Sequence, residues 1–336
     1  SLGVVVDSLS VLLACIASFI GAWIVVFSLG YMAGEEGLNR YYALVLLFIG
    51  GMNLLVMSNN LLQLYIGWEL VGVCSYALIG FFYREEKPAR AGLRAFVTTR
   101  IGDVGLLIGI LMIYFKTGTL RYFELFDKVP ELGGGFLLIS GILLFLGAIG
   151  KSAQVPLHIW LASPSGIDAM QGPTTVSALI HAATMVKAGV FLVARVFPMF
   201  EGVSSWCLIV AYIGGITAFL ASLMALASMD IKGVLAYSTI SQLGYMFMAL
   251  GVGTWLGFLA GTMHILSHAF FKALLFLSAG AVIHAVGTRD ISKMGGLLKH
   301  MKITGLTCLV GVASLAGIPP LNGFWSKELI LKACLL

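Results

Sequence analysis

The segment HILSHAFFKALLFLSAGAVIH carries titratable side chains at a regular spacing inside an apolar run. His264, His268 and Lys272 lie four residues apart among Ile, Leu, Phe, Ala and Ser. On an α-helix each such step turns about 400° and rises about 6 Å, so the three side chains form one stripe. Imidazole gains and loses protons near neutral pH. The stripe therefore predicts a ladder along which protons hop.

A metal site and a purely structural role are the two alternatives to a proton ladder. An i, i+4 histidine pair is also a metal-binding pattern, but the segment lacks the Glu of H-E-x-x-H, and no Asp, Glu or Cys nearby on this helix could supply a further ligand. The sequence therefore disfavours a metal. In the structural alternative, the three side chains form hydrogen bonds to adjacent helices.

The composition predicts an integral membrane protein. The 336 residues are 60% hydrophobic and 10% charged, with a mean hydropathy of +1.01, whereas globular chains carry about 25% charged residues. A charge at the centre of a membrane helix costs at least about 2.5 to 3.5 kcal/mol, so it indicates function by default. Acids and bases at comparable depth predict a lateral proton relay, whose candidates are Glu69, Lys151, His181, the 264–272 ladder and Lys327.

Several of the charges have structural interpretations as well. Glu69 could be protonated or bonded to a neighbouring helix, and a lysine can extend to the membrane surface. His181 and Lys187 are six residues apart, which places them on different sides of an ideal helix. Arg100 and Asp103 can form an i, i+3 ion pair.

Hydrophobic runs along the whole chain are each long enough to cross a core of about 30 Å. The first lacks the basic region and cleavage site of a signal peptide, so we expect it to be retained. The five cysteines are scattered without a metal-like spacing. The predicted spans are 3–31, 41–58, 60–83, 96–115, 134–161, 174–197, 205–228, 233–251, 255–285 and 303–336.

Basic residues between the spans predict the orientation in the membrane. Alternate loops hold ten Lys and Arg on one side and four on the other. Loops 84–95 and 286–302 should therefore be cytoplasmic and the N-terminus outside. This bias also accounts for the net charge of +5 without a nucleic-acid partner. Asp230 and Lys232 are predicted to anchor a cytoplasmic turn.

Helix breakers interrupt two spans at corresponding places. Pro156 follows Lys151 in the fifth span, and Pro319 and Pro320 precede Lys327 in the tenth. Broken helices five spans apart predict two inverted repeats. The expected units are residues 1–58, 60–197 with the first break, and 205–336 with the second. The chain ends just after the second break, from which we expect a truncated sequence.

Several motifs resemble one known family over nearly the entire chain. They are WELVGVCSYALIGFFY, RIGDVGLLIG, GKSAQVPLHIWL, GPTTVSALIHAATMVKAGVFLVAR, DIKGVLAYSTISQLGYMFMALGV, HILSHAFFKALLFLSAGAVIH and GFWSKELIL. The chain resembles the antiporter-like subunits of respiratory complex I, most of all the L-type subunit. Related chains occur in F(420)H(2) dehydrogenase, chloroplast-type NDH, membrane-bound hydrogenases and Mrp cation/proton antiporters. The resemblance implies that this chain corresponds to helices 3 to 12 of the family core.

The resemblance also implies roles for particular residues. Glu69 and Lys151 resemble the glutamate and lysine of an input half-channel, and His181 resembles the histidine of the following helix. The remaining residues resemble connecting groups, His264, His268 and Lys272, and an output half-channel, Lys327 with the neighbouring Glu328. One departure is WLASPSGIDAMQGPTT, which adds about five residues and places Thr175 where the family has proline. It puts in question the register of His181 with Lys151.

The expected function is proton translocation driven by a redox partner. No cysteine cluster or G-x-G-x-x-G motif occurs, so we expect no cofactor in this chain and flavin, iron–sulfur clusters and quinone in partner subunits. Expected partners are other antiporter-like subunits, a hydrophilic redox arm and the lipid bilayer of a bacterial or archaeal cytoplasmic, inner mitochondrial or thylakoid membrane. The alternatives are an Mrp-type Na⁺/H⁺ antiporter subunit, with Na⁺ as a possible cargo, and an inert scaffold.

Overall fold

The chain forms a bundle of helices, as the sequence predicts for a polytopic all-α membrane protein. The computed structural model describes residues 2–336. Within this range the β contacts are three isolated bridges. The helices are α1 Ser8–Tyr31, α2 Leu38–Val56, α3 Leu61–Ile79, α4 Glu86–Thr117, α5 Tyr122–Lys128, α6 Gly134–Lys151, α7 Thr174–Ala178, α8 Met185–Phe200, α9 Ser204–Ala227, α10 Ile231–Gly251, α11 Trp255–Val286, α12 Lys302–Ala316 and α13 Asn322–Leu335.

Eight helical stretches of the described chain are long and apolar enough to cross a membrane. They are α1 to α4, α6, α9, α11 and the continuous stretch Thr174–Phe200, in which a π turn, Leu179–Ala183, joins α7 to α8. The predicted spans at these places are confirmed. The eighth predicted span corresponds to α10, a helix of 21 residues with buried Ser, Thr and Gln side chains.

The break that the prolines predict within the tenth span is present. Residues 303–336 form α12, of 15 residues, and α13, of 14 residues. Helices of this length rise only about 21 to 23 Å, so neither crosses the membrane alone. The chain turns between them at Pro319 and Pro320. The other predicted break is also present, because α6 ends at Lys151, five residues before Pro156. The inverted-repeat relation of the two halves stays a prediction.

Polar and glycine residues at the helix ends explain where several helices begin and stop. Asp7, Asn60 and Thr254 accept backbone N–H hydrogen bonds at the starts of α1, α3 and α11. Gly118 and Gly287 end α4 and α11 with φ angles of 72° and 74°, which favour glycine. Hydropathy alone misplaced one boundary, because α4 already begins at Glu86, inside the predicted loop 84–95.

The stretch Thr174–Phe200 lies in the centre of the bundle. It packs against α1, α2, α3, α6, α10 and α11, and its apolar window is entirely buried. The broken end of α6 is fastened to it, since Ser152 Oγ donates a hydrogen bond of 2.7 Å to the carbonyl of Val186. Ionisable side chains on this stretch therefore face protein rather than lipid.

Contacts between loops show which chain segments share a face of the bundle. Arg94 donates to the carbonyl of Ile167 at 2.9 Å, and Arg289 donates to that of Met170 at 3.1 Å. The start of α4 and the segment after α11 therefore lie on the same face, as predicted for loops 84–95 and 286–302. On the opposite face, Val4 forms a bridge with Ser58.

We expect the face that carries Lys87 and Lys293 to be cytoplasmic, because it holds most of the loop Lys and Arg residues. In a cysteine-free background, Lys87→Cys and Lys293→Cys should both react with an impermeant thiol reagent only in inside-out vesicles. Cysteine at Asn59, next to the bridge on the other face, provides the matched control and should react in intact cells. Labelling of the two lysine positions from outside alone would reverse the orientation.

Candidate functional site

Lys151, at the last position of α6, forms a buried ion pair with Asp103 of α4. Its Nζ lies 3.4 Å from Asp103 Oδ2, and both side chains are only 1% exposed. The other carboxylate oxygen, Oδ1, accepts a hydrogen bond of 2.6 Å from the indole N–H of Trp68 on α3. The Lys151 ammonium also lies 5.9 Å from the centre of the Trp68 ring. A helix C-terminus favours positive charge, so the end of α6 suits an ammonium.

Glu69 pairs with Arg100 rather than with Lys151. Glu69 Oε1 lies 2.7 Å from Arg100 Nη1, and the side chains are 22% and 37% exposed. The i, i+3 pairing of Arg100 with Asp103, which the sequence allowed, is replaced by two pairings between helices. The reason is that α4 packs between α3 and α6, so Arg100 meets Glu69 of α3 and Asp103 meets Lys151 of α6. The four groups form one cluster, because Glu69 and Arg100 both act electrostatically on Asp103.

His181 and Lys187 both contact α11. The prediction that they face different sides of their helix is therefore wrong. The His181 ring lies 4.5 Å from the ring of Phe276, and Lys187 Nζ donates to the carbonyl of Ile265 at 3.1 Å. His181 lies inside the π turn Leu179–Ala183. A π turn has more residues than an α turn, so the 100° per residue of an ideal helix does not apply between these two positions.

The three side chains of the 264–272 ladder are fully buried on α11, in the predicted stripe. His264 contacts Ser326 Oγ through Nδ1 at 2.8 Å and Gln242 Oε1 through Nε2 at 3.0 Å. The rings of His264 and His268 are 6.4 Å apart. The two ring nitrogens of His268 have no hydrogen-bond partner among the described residues.

Lys272, the last member of the ladder, is held by neutral acceptors. Its Nζ donates to the carbonyl of Leu235 at 2.9 Å and to Ser238 Oγ. Both acceptors lie on α10. The ammonium therefore has no direct carboxylate partner within the described chain, unlike Lys151.

Lys327 lies at the second helix break. Its Nζ donates to the carbonyl of Leu315, in the last turn of α12, and lies 5.8 Å from the ring of Tyr245. The break leaves carbonyl groups of α12 without helical partners, so a lysine there satisfies one of them. Glu328, which the resemblance placed beside Lys327 in the output half-channel, is exposed on the surface of α13.

Comparison with known proteins identifies the family of this bundle. The family model described as NADH:quinone oxidoreductase/Mrp antiporter, TM, matches residues 58–336. A second model, described as NADH-Ubiquinone oxidoreductase (complex I), chain 5 N-terminus, matches residues 1–42. The chain belongs to the NADH:quinone oxidoreductase/Mrp antiporter transmembrane family.

Relatives within this family come from several kinds of complex. The chain is 48% identical to NAD(P)H-quinone oxidoreductase chain 5 of Picosynechococcus sp., covering 98% of this chain and 51% of the relative. It is 47% identical to F(420)H(2) dehydrogenase subunit L of Methanosarcina mazei, covering 98% and 53%. The chain thus spans about half the length of the curated relatives it matches.

Solved structures show the same fold. A chain in the structure of the Mrp complex from Dietzia sp. superposes with a TM-score of 0.93 at 36% identity, covering 98% of this chain and 36% of that one. A chain of the archaeal membrane-bound sulfane sulfur reductase superposes with a TM-score of 0.91 at 27% identity, covering 99% and 68%. The all-helical membrane architecture is therefore that of the NADH:quinone oxidoreductase/Mrp antiporter family.

Two ionisable residues have partners that the sequence did not predict. Asp103, predicted as a local ion-pair partner of Arg100, is the carboxylate that meets Lys151. Lys187, which was not among the predicted relay residues, is fully buried against α11 beside the ladder. The available signal was the same in both cases, namely an ionisable side chain deep in an apolar helix.

The added residues before the central stretch fold into a fastened loop. Asp168 accepts hydrogen bonds from the backbone N–H groups of Ser163, at 2.8 Å, and Met170, at 3.0 Å. Burial raises the pKa of Asp168, although these hydrogen bonds oppose the shift. Lys232 donates to the carbonyls of Met170 and Gly172, both at 2.8 Å. Lys232 therefore anchors the turn before α10, as predicted, and ties the loop to the start of that helix.

Proposed function

We propose that this chain is a proton-translocating membrane subunit of a redox-driven complex. The observation that supports this most strongly is the series of buried and half-buried ionisable groups that crosses the bundle from the end of α6 to α13. Its members are Lys151, His181, Lys187, His264, His268, Lys272 and Lys327. Buried charges are costly in a membrane and therefore indicate function.

Members of this series from His181 to Lys327 interact electrostatically. The charge of Lys272 interacts with the His181 ring, that of Lys187 with the His268 ring, and that of Lys327 with Lys272. The rings of His181 and His268 have no hydrogen-bond partner within the described chain. Buried polar groups are usually bonded to protein or to ordered water, so these rings suit transfer through water. A change in charge at one member then alters proton affinity at the next.

Proton loading begins at the cluster of Lys151, Asp103, Glu69 and Arg100. A carboxylate close to Lys151 favours the charged ammonium, and separation of the pair favours release of the proton toward the central stretch. Glu69 affects Lys151 only indirectly, through its ion pair with Arg100 and its electrostatic effect on Asp103. Redox energy would come from partner subunits that hold flavin, iron–sulfur clusters and quinone. The names of the oxidoreductase and dehydrogenase relatives support this choice of complex.

The test is a reconstitution of the complex purified through this chain. With NADH, F(420)H(2) or reduced ferredoxin as donor and a quinone as acceptor, proteoliposomes should acidify inside, an uncoupler should abolish the signal, and a Na⁺ ionophore should not. Acceptor reduction without acidification would contradict proton translocation.

The Mrp-type Na⁺/H⁺ antiporter is the second candidate, because the chain of the Mrp complex from Dietzia sp. shares 36% identity and a TM-score of 0.93. It predicts that no flavin or iron–sulfur subunit co-purifies and that an imposed pH gradient drives Na⁺ flux. The same preparation therefore distinguishes the two functions.

A further inference from the structure

Two uncharged residues on one face of α3 lie against the Lys151–Asp103 ion pair. Trp68 and Gly72 lie four positions apart, so they share a face of the helix. Trp68 is fully buried and donates its indole N–H to Asp103 Oδ1. Gly72 lies next to the Lys151 ammonium. We call these two residues the α3 socket.

Gly72 is required by the position of Lys151. A Cβ atom at Gly72 would lie 2.5 Å from Lys151 Nζ, and the next neighbouring atom is Lys151 Cε at 3.9 Å. The crowding therefore involves the end of the lysine side chain and no backbone. An alanine at this position would displace the ammonium from its place beside Asp103 without disturbing the packing of α3.

Trp68 orients Asp103, the other member of the ion pair. Its N–H occupies one carboxylate oxygen and leaves Oδ2 to face Lys151. The separation of 3.4 Å is longer than the roughly 2.7 to 2.9 Å of a charge-assisted hydrogen bond. The pair is thus held as an ion pair that has not closed into a hydrogen bond, which suits a lysine that must load and release a proton.

We propose that the α3 socket sets the distance between Asp103 and Lys151, which makes Trp68 and Gly72 positioning residues for proton loading. This inference rests on the proposed function for its consequence. Its geometry can be tested independently of pumping.

The first experiment measures the thermal stability of the detergent-purified complex in a double-mutant cycle of Gly72→Ala with Lys151→Met. Alanine in a helix interior normally stabilises relative to glycine. Methionine lacks the atom that the new Cβ would meet. Gly72→Ala should therefore raise the melting temperature more in the Lys151→Met background than in the wild type. Equal changes in both backgrounds would overturn the socket. Gly50→Ala on α2, where a Cβ meets no atom within 4 Å, is the matched control.

The second experiment measures the proton-to-electron ratio of assembled complexes. Trp68→Phe keeps a ring but loses the donor, which frees Oδ1 and lets Asp103 close on Lys151. We expect Trp68→Phe to reduce proton translocation about tenfold, the effect of one charge-assisted hydrogen bond. Gly72→Ala should reduce it as well, because the new Cβ displaces the Lys151 ammonium. Trp68→Phe should have no additional effect in an Asp103→Asn background, whereas a general packing defect would act in both.

Trp206→Phe is the control for the tryptophan, because Trp206 is also buried but its indole N–H has no partner among the described residues. It should leave translocation unchanged. Normal pumping in Trp68→Phe and Gly72→Ala, with Lys151→Met inactive, would overturn the socket and leave the proposed function intact. Normal pumping in Lys151→Met would overturn the proposed function, while the stability cycle would still decide the geometry.

Discussion

Lys151→Met is expected to stop proton translocation by the assembled complex, with a loss of about 100-fold, the lower end of the contribution of a positioned acid–base group. Lys151 is the ammonium that Asp103 holds at the broken end of α6. Methionine fills similar space but binds no proton. Donor-linked vesicle acidification measures the loss, and Lys116→Met, at an exposed position near the end of α4, is the control and should pump normally.

Lys151→Met should also destabilise the complex, and this effect must be separated from the loss of proton translocation. The substitution leaves the Asp103 carboxylate buried without its partner, and breaking a buried pair costs about 3 to 5 kcal/mol. A double variant, Lys151→Met with Asp103→Asn, should regain stability but not translocation. Recovery of pumping in the double variant would show that Lys151 is a structural counter-ion and not a carrier.

Glu69→Gln provides a graded comparison with Lys151→Met. Because Glu69 contacts Arg100 and influences Asp103 only electrostatically, its removal should slow loading without abolishing it. Glutamine keeps an amide oxygen that can accept a hydrogen bond from Arg100, so assembly should be retained. An unchanged proton-to-electron ratio in both Glu69→Gln and Lys151→Met would assign this whole cluster to structure.

Lys272→Met is expected to block transfer between the half-channels while leaving assembly intact. Its ammonium is bonded to the Leu235 carbonyl and the Ser238 hydroxyl, so the substitution leaves no buried carboxylate unpaired. Translocation should fall by about 100-fold, as for other positioned acid–base groups. Vesicle acidification at matched assembly is the measurement.

Lys272→Arg separates proton transfer from charge. Arginine keeps the positive charge but does not release a proton in proteins. If Lys272 carries protons, Lys272→Arg should fail like Lys272→Met. If the arginine variant pumps normally, Lys272 acts through its charge alone, and normal pumping by both variants would return the ladder to its structural interpretation.

The sequence determined the membrane architecture because hydropathy and helix length are local properties. Apolar runs located the membrane spans, and the spacing of His264, His268 and Lys272 was enough to place them on one buried stripe, since an α-helix has a fixed rotation per residue. The prolines marked both helix breaks, because a proline cannot donate the helical hydrogen bond. Within 303–336 the break separates α12 from α13, and each of these two helices is too short to cross the membrane alone.

The tertiary structure decided the partners of the charges. Whether Asp103 meets Arg100 or Lys151 depends on how α4 packs between α3 and α6, and no spacing within α4 contains that information. The π turn at Leu179–Ala183 likewise turned both His181 and Lys187 toward α11, against the rotation expected from their separation. A buried charge can be recognised in the sequence, because its desolvation cost depends on the residue type and on the apolar residues around it. Its counter-charge is selected by contacts between helices, which only the folded bundle brings together.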